Sequence, residues 1–298
     1  MPAVLDIVGD RWTLAIVDAL LGGPRRFDEL VTELGIPRST LSVRLRRLAT
    51  SGCVEREAYQ ERPTRYGYHL SPQGADLADI LIAVRAWNAH WRGGAPPRHA
   101  ACPGRGGDLS PGVLTLICGH CSVPVVASDV RFADGPGRAT PRRMAARRTR
   151  VDQPLSRDAS AAAILEDRWA AVVLAAAFFG VRRFADLQVA TEMAPNILTA
   201  RLRALEAAGL MARRRYQDRP PRDEYVLAPA GLDLFPVVVG LVRWGDRWLR
   251  PGGGASVELT HRPCQQPLQP VIACGRCGAA GTAVRSRVSG VGNGATRS

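Results

Sequence analysis

The chain has 298 residues, 46% hydrophobic and 22% charged, with a formal net charge of +13 and a pI near 10.5. That length gives room for two ordinary domains, and that apolar fraction excludes wholesale disorder. The positive charge points to a polyanionic partner, nucleic acid first, but all 40 basic residues are Arg, a pattern that coding bias also produces, so position rather than number must carry the argument.

Leu5 to Leu21 is apolar at helical spacing and stops at Gly22-Gly23-Pro24. Phe27 to Leu34 predicts a short second helix with Phe27, Leu30, Val31 and Leu34 on one face. After the tight turn Gly35-Ile36-Pro37, Ser39 to Thr50 predicts a third helix with Leu41, Leu45 and Leu48 inward, ended by Gly52. Val54–Tyr59 and Tyr66–Leu70 read as two strands around a tip at residues 61–64, and Pro72 starts a long helix to about Trp91. Three helices, a ribbon and a further helix make a winged helix-turn-helix. The outer face of the third helix offers Arg38, Ser39, Thr40, Ser42, Arg44 and Arg47, short polar groups and guanidinium forks of the kind a major groove admits. Arg62 and Arg65 at the ribbon tip are placed for phosphate or an adjacent minor groove.

The chain then repeats itself. Asp10-Arg11-Trp12 returns as Asp167-Arg168-Trp169, Arg44-Leu45-Arg46 as Arg201-Leu202-Arg203, and Trp87 and Trp91 as Trp244 and Trp248, all at one offset of 157 residues. The second copy offers Asn196, Thr199, Arg201 and Arg203 on its third helix and Arg219 and Arg222 on its ribbon, with Arg213, Arg214 and Arg215 beside them. It is less basic on the helix, so an alternative reading makes it a dimerisation module that does not touch DNA. Leu77, Ile80, Leu81, Val84, Trp87 and Trp91 form one stripe on the last helix, and an exposed Trp-bearing stripe favours a partner surface.

Six of the seven cysteines lie beyond the winged units, in two groups. His99 and Cys102 precede Cys118 and Cys121; His261 and Cys264 precede Cys274 and Cys277. Three thiolates and one imidazole form a closed tetrahedral set that suits structural Zn²⁺, giving up to two ions per chain, one in each copy. Reversible dithiol chemistry is the alternative. His120 has Arg276 as its counterpart and is not expected to be a ligand, and Cys53, matching Leu210, is expected to be a buried filler.

Both copies resemble the HxlR-type winged-helix regulators, a bacterial branch related to the MarR family. The resemblance rests on residues 5–14, 23–30 and 41–48, on Tyr59…Pro63…Arg65-Tyr66-Gly67-Tyr68, on Leu70-Ser71-Pro72-Gln73-Gly74 and on Trp87, and it covers roughly residues 3–92 and 160–249. It implies homodimers on two half-sites with the last helix in the dimer contact. In this chain it implies a pseudo-dimer within one molecule, a dimer of whole chains being the alternative, with half-sites roughly 34 Å apart. Some members sense oxidants through a Cys before the first helix; neither copy has one there.

The fold class expected is mainly α with small β (α+β). The expected division is a winged unit at 1–92, a Cys/His extension at 93–134, a basic linker at 135–158, a second winged unit at 159–250, a second extension at 251–284 and a disordered tail at 285–298. The longest apolar run, Trp169 to Val181, is shorter than the roughly 18 residues of a bilayer helix, and no leader opens the chain, so a cytoplasmic location and no membrane partner are expected. No phosphate-binding Gly loop, HExxH or nucleophile elbow occurs, which argues against an enzyme. The expected function is a double-stranded-DNA-binding transcription regulator, a repressor by expectation, with an unidentified effector. The alternative is a thiol- or metal-responsive regulator whose Cys3His clusters control DNA binding.

Overall fold

The computed structural model describes residues 2–62, 64–93, 114–136, 155 and 159–274. Helices α1 (Pro2–Val8) and α2 (Arg11–Leu21) replace the single first helix that periodicity predicts. The break is made by Asp10, whose extended backbone lets its carboxylate accept the N–H groups of Trp12 and Thr13. Strand β1 (Arg25–Arg26) leads into α3 (Phe27–Leu34), and Glu29 reaches back to the Arg26 N–H. The turn to α4 (Arg38–Thr50) passes through Gly35 at φ +59°, and α4 buries Leu41, Leu45 and Leu48. Strands β2 (Val54–Glu61) and β3 (Thr64–Leu70) form an antiparallel wing longer than the sequence pattern suggests, because a bulge between Ala58 and Gln60 lets pairing continue to Glu61 and Thr64. β1 closes the other side of β3.

The long final helix is also broken, into α5 (Pro72–Ala75) and α6 (Ala78–Arg92). The Ser71 hydroxyl caps α5 through the Gly74 N–H. Gly74 lies so close to the wing that an added Cβ would stand 2.0 Å from the Cys53 carbonyl oxygen, and Gly231 repeats this against Leu210 at 2.1 Å. The Pro-x-Gly shared by the copies therefore marks a close backbone crossing.

Beyond the first unit lie β4 (Leu114–Cys118) and β5 (Val130–Asp134). The second unit has α7 (Ala161–Glu166), α8 (Arg168–Phe178), α9 (Phe184–Thr191), α10 (Pro195–Ala207), the wing β6 (Met211–Gln217) and β7 (Arg222–Leu227), then α11 (Pro229–Leu232) and α12 (Phe235–Trp248). It is followed by β8 (Val257–His261), β9 (Gln266–Pro267) and β10 (Pro270–Cys274). The result is a mixed fold of helices with small antiparallel sheets, two winged units in one chain.

The copies pack on each other through reciprocal bonds. Trp87 Nε1 donates to the Ala230 carbonyl at 2.8 Å, and Trp244 Nε1 to the Gln73 carbonyl at 2.9 Å. Trp91 donates to Asp233 Oδ2 and Trp248 to Asp76 Oδ2, both at 3.0 Å. Donors and acceptors alike differ by the 157-residue offset, so residue i meets j while the copy of j meets the copy of i. That is the signature of an isologous, two-fold interface. α6 and α12 form its centre, burying Ile80, Leu81 and Val84 with Val237, Val238 and Leu241.

The two extensions pair with each other across the copies. β4 pairs antiparallel with β10, Leu116 opposite Ile272, and β5 pairs with β8. Phe132 of the first extension packs edge-on against Phe179 and Phe235 of the second unit, ring centroids 5.4 and 6.1 Å apart.

Candidate nucleic-acid interface and metal centre

The outer surface of α4 presents Arg38, Ser39, Val43 and Arg46 to solvent, with Thr40, Ser42, Arg44 and Arg47 half-buried. Arg38 lies over the Phe27 ring and bonds Asp28 Oδ1 at 2.6 Å while staying exposed. Arg44 turns inward, its Nε 3.2 Å from Asp10. Arg46 was absent from the expected DNA-facing set. The offset that links it to Arg203 could have supplied it, since both are exposed.

On α10, Asn196 and Arg203 are exposed, and Thr199 is half-buried with its hydroxyl donating to the Pro195 carbonyl at 2.8 Å. Arg201 was expected on the DNA-facing side, but it is only 2% exposed, with Nη1 2.7 Å from Asp167 Oδ2. Asp167 also caps α8 through the Ala170 N–H. Arg201 and Arg44 thus play the same part. Each ties the third helix of its unit to the capped start of the helix that supports it, and Arg201 is removed from the set of DNA-facing residues.

The wings differ in charge. Arg62 and Arg65 stand exposed at the first tip, and Arg219 and Arg222 at the second. Arg213, Arg214 and Arg215, which inflate the basic count of the second wing, are held by Glu206, Glu224 and Asp223 at 2.8, 2.5 and 2.9 Å.

The metal-ligand types converge, but not in the grouping expected. Cys118 and Cys121 of the first extension meet His261 and Cys264 of the second, their ligand atoms all within 4.8 Å of one another. Two turns bring them there: the Cys118 carbonyl accepts the Ser122 N–H and the His261 carbonyl accepts the Gln265 N–H, both at 2.7 Å. Ser122 and Gln265 take φ of 59° and 56° to close these turns. Cys274, grouped by sequence with His261 and Cys264, is buried at the other end of the β4·β10 ribbon, opposite Leu114 in register. His99, Cys102 and Cys277 lie outside the described residues, as do most of the basic linker and the tail. His120 is exposed and outside the group, and Cys53 is fully buried.

The donor spacing fits a tetrahedral ion. Zn–S of about 2.3 Å and Zn–N of about 2.0 Å imply sulfurs about 3.8 Å apart and sulfur to nitrogen about 3.5 Å. Cys118 Sγ lies 3.9 Å from Cys264 Sγ, while His261 Nδ1 lies 3.4 Å from Cys121 Sγ and 3.3 Å from Cys264 Sγ. The imidazole is buried, and its Nε2 has no partner among the described residues, so its polar contacts are those that Nδ1 makes with the sulfurs. Burial pushes the Cys118 thiol up, but the backbone N–H groups of Cys121 and His120 and the neighbouring thiols outweigh it and hold the group below its ordinary value. Cys121 sits above its ordinary value: a bond from the Val123 backbone favours the thiolate, and burial with the adjacent sulfurs overrides it.

Two displayed third helices, two wings and an isologous contact through the last helices define a tandem winged helix-turn-helix DNA-binding protein. Residues 7–95 and 164–252 each match the HxlR-like helix-turn-helix family, together more than half of the chain, and the chain belongs to that family. It is a transcription regulator of the HxlR type, built twice over. An uncharacterized HTH-type transcriptional regulator of Mycobacterium bovis is 39% identical over 138 residues, 45% of this chain and 84% of the relative. That stretch is longer than either family match, so the likeness runs past one winged unit. The HTH-type transcriptional regulator YodB of Bacillus subtilis is 31% identical over 88 residues, 29% of this chain and 79% of the relative. The solved structure of its reduced form is 29% identical, covers 30% of this chain and 90% of that one, and superposes with a TM-score of 0.28.

Proposed function

We propose that the two units act as one pseudo-dimer on a DNA site with two inverted half-sites, repressing transcription by occupying it. The observation that carries this reading is the reciprocal set of Trp bonds between the copies, which supports a two-fold relation between α4 and α10 within a single molecule. Arg38, Ser39, Val43 and Arg46 would read one half-site, with Thr40, Ser42 and Arg47 at the edge of that face; Asn196, Thr199 and Arg203 would read the other. Arg62, Arg65, Arg219 and Arg222 would hold flanking phosphate. Because the two faces differ, the half-sites are unequal.

The Cys3His group is proposed to hold zinc, by its donor set and spacing. No described helix is long and apolar enough to cross a membrane, and we propose a cytoplasmic regulator that acts by binding rather than by catalysis. Selection of duplexes from a random pool tests the main reading. Enriched sequences should carry two unequal inverted elements about one helical turn apart, bound more weakly as salt rises. Enrichment of a lone element, or binding indifferent to salt, would overturn it. A reporter fused to an enriched site then gives the sign of regulation.

A further inference from the structure

The Cys3His group joins the two copies instead of serving either one. Cys118 and Cys121 belong to the first extension, His261 and Cys264 to the second, 140 to 146 residues apart in sequence. The first extension is already placed on the second unit, β5 along β8 and Phe132 against Phe235. The β4·β10 ribbon straddles the pseudo-two-fold axis: Leu116 pairs with Ile272, and these two residues occupy matching places before their CxxC pairs. An ion held here would bridge the halves beside the axis that relates the two DNA-reading helices.

We propose that one Zn²⁺ shared by Cys118, Cys121, His261 and Cys264 is a latch between the copies, and that its occupancy controls binding to paired half-sites. This rests on the reading of the chain as a pseudo-dimeric DNA-binding regulator. With zinc bound, the second unit follows the first onto DNA at a fixed separation, so its encounter is intramolecular and the paired site gains avidity of order 10²-fold. With zinc removed, the ribbon and the β5·β8 pairing lose their anchor. The halves are then held by the α6·α12 contact without the brace, and much of that gain is lost while each unit keeps its own affinity for a half-site.

The experiment uses the full chain, zinc itself as the metal probe, and two duplexes from the selected pool, one with both half-sites and one with the second half-site scrambled. Metal content is measured on wild type and on Cys118→Ser and His261→Gln, with circular dichroism as the folding control. Each substitution should remove one equivalent of zinc, and cobalt-substituted wild type should show the spectrum of a tetrahedral thiolate site. Chelated wild type should bind the paired duplex about tenfold more weakly, bind the single-site duplex unchanged, and regain the paired affinity when zinc is restored. The chelated protein keeps the test open if the substituted chains do not fold. Equal affinity of chelated and zinc-loaded protein for the paired duplex would sink the latch while leaving the metal site intact. Metal-replete protein that loses no zinc on substitution of Cys118 sinks both. Failure to bind either duplex with zinc present defeats the underlying DNA-binding reading instead.

Discussion

Arg44 and Arg201 show how one residue pattern serves two purposes. Both recur at the 157-residue offset on the third helix, where a guanidinium is the expected base reader. Both instead turn to the Asp that caps the preceding core helix. The repeat was legible in the sequence; the direction of the side chain was not, because a buried ion pair and a DNA-facing Arg have the same helical register within one residue's turn. The two sites differ in depth, and that difference is measurable. Arg201→Ala leaves the carboxylate of Asp167, its side chain 11% exposed, without its counter-charge and should cost about 3 kcal/mol of unfolding free energy. Arg44, with 28% of its side chain exposed, should cost about 1 kcal/mol or less when removed. Chemical denaturation of the two variants checks this, and equal losses would show that Arg201 is not buried as described. Position 192 offers a second case. The turn before α10 needs a left-handed residue, which Gly35 supplies in the first copy and Glu192 supplies at φ 53° in the second. Glu192→Gly should therefore raise the stability of the second unit by about 1 kcal/mol, read as a rise in its melting temperature.

At the scale of elements, helix periodicity, the Gly and Pro stops at residues 22–24, 35–37 and 52, and the two short strands around the tip at 61–64 made the order helix, helix, helix, wing, helix legible. The breaks between α1 and α2 and between α5 and α6 were less so, since the apolar stripe runs on through both while the backbone is redirected at Asp10 in one case and at Asp76 and Leu77 in the other. The strand partners of the extensions were not legible. β4 and β10 are five residues each and far apart in the chain, and short runs such as Leu114–Cys118 carry no local sign of which strand they will meet. The two HxxC…CxxC sets have the same ligand types but loops of different length between their halves, and nothing local in them signals that Cys118 and Cys121 meet His261 and Cys264 of the other copy. The wings show the converse, charge that was legible but misleading, because Glu206, Asp223 and Glu224 neutralise the Arg run of β6. Arg46→Ala and Arg203→Ala should each weaken binding to the paired site by about tenfold with unfolding midpoints unchanged. Arg214→Ala should change affinity little. Fluorescence anisotropy on one labelled duplex compares all three, and a loss at Arg214 matching that at Arg46 would mean that the β6 ion pairs open on DNA.

For the whole molecule, the duplication turns an interface between subunits into an interface within a chain. The four Trp bonds and the α6·α12 stripe hold the copies in the same relation that two separate protomers would adopt around a dyad, but the two faces are free to differ. Val43 faces solvent on α4 where the matching position on α10 is Ala200, and Arg38 has Pro195 as its counterpart. On the proposed reading, one chain would address an asymmetric operator that a homodimer would read with one arm mismatched. The same rigidity sets a strict demand on the DNA. Inserting five base pairs between the half-sites of a selected duplex turns the second half-site about half a helical turn away, to the opposite face, where α10 cannot follow while the α6·α12 contact holds. Affinity should drop by about 10²-fold, to that of a single half-site. If the relaxed-spacing duplex bound as well as the parent, the two units would have to reach DNA independently, and the reciprocal contacts between the copies would not govern how this regulator reads its site.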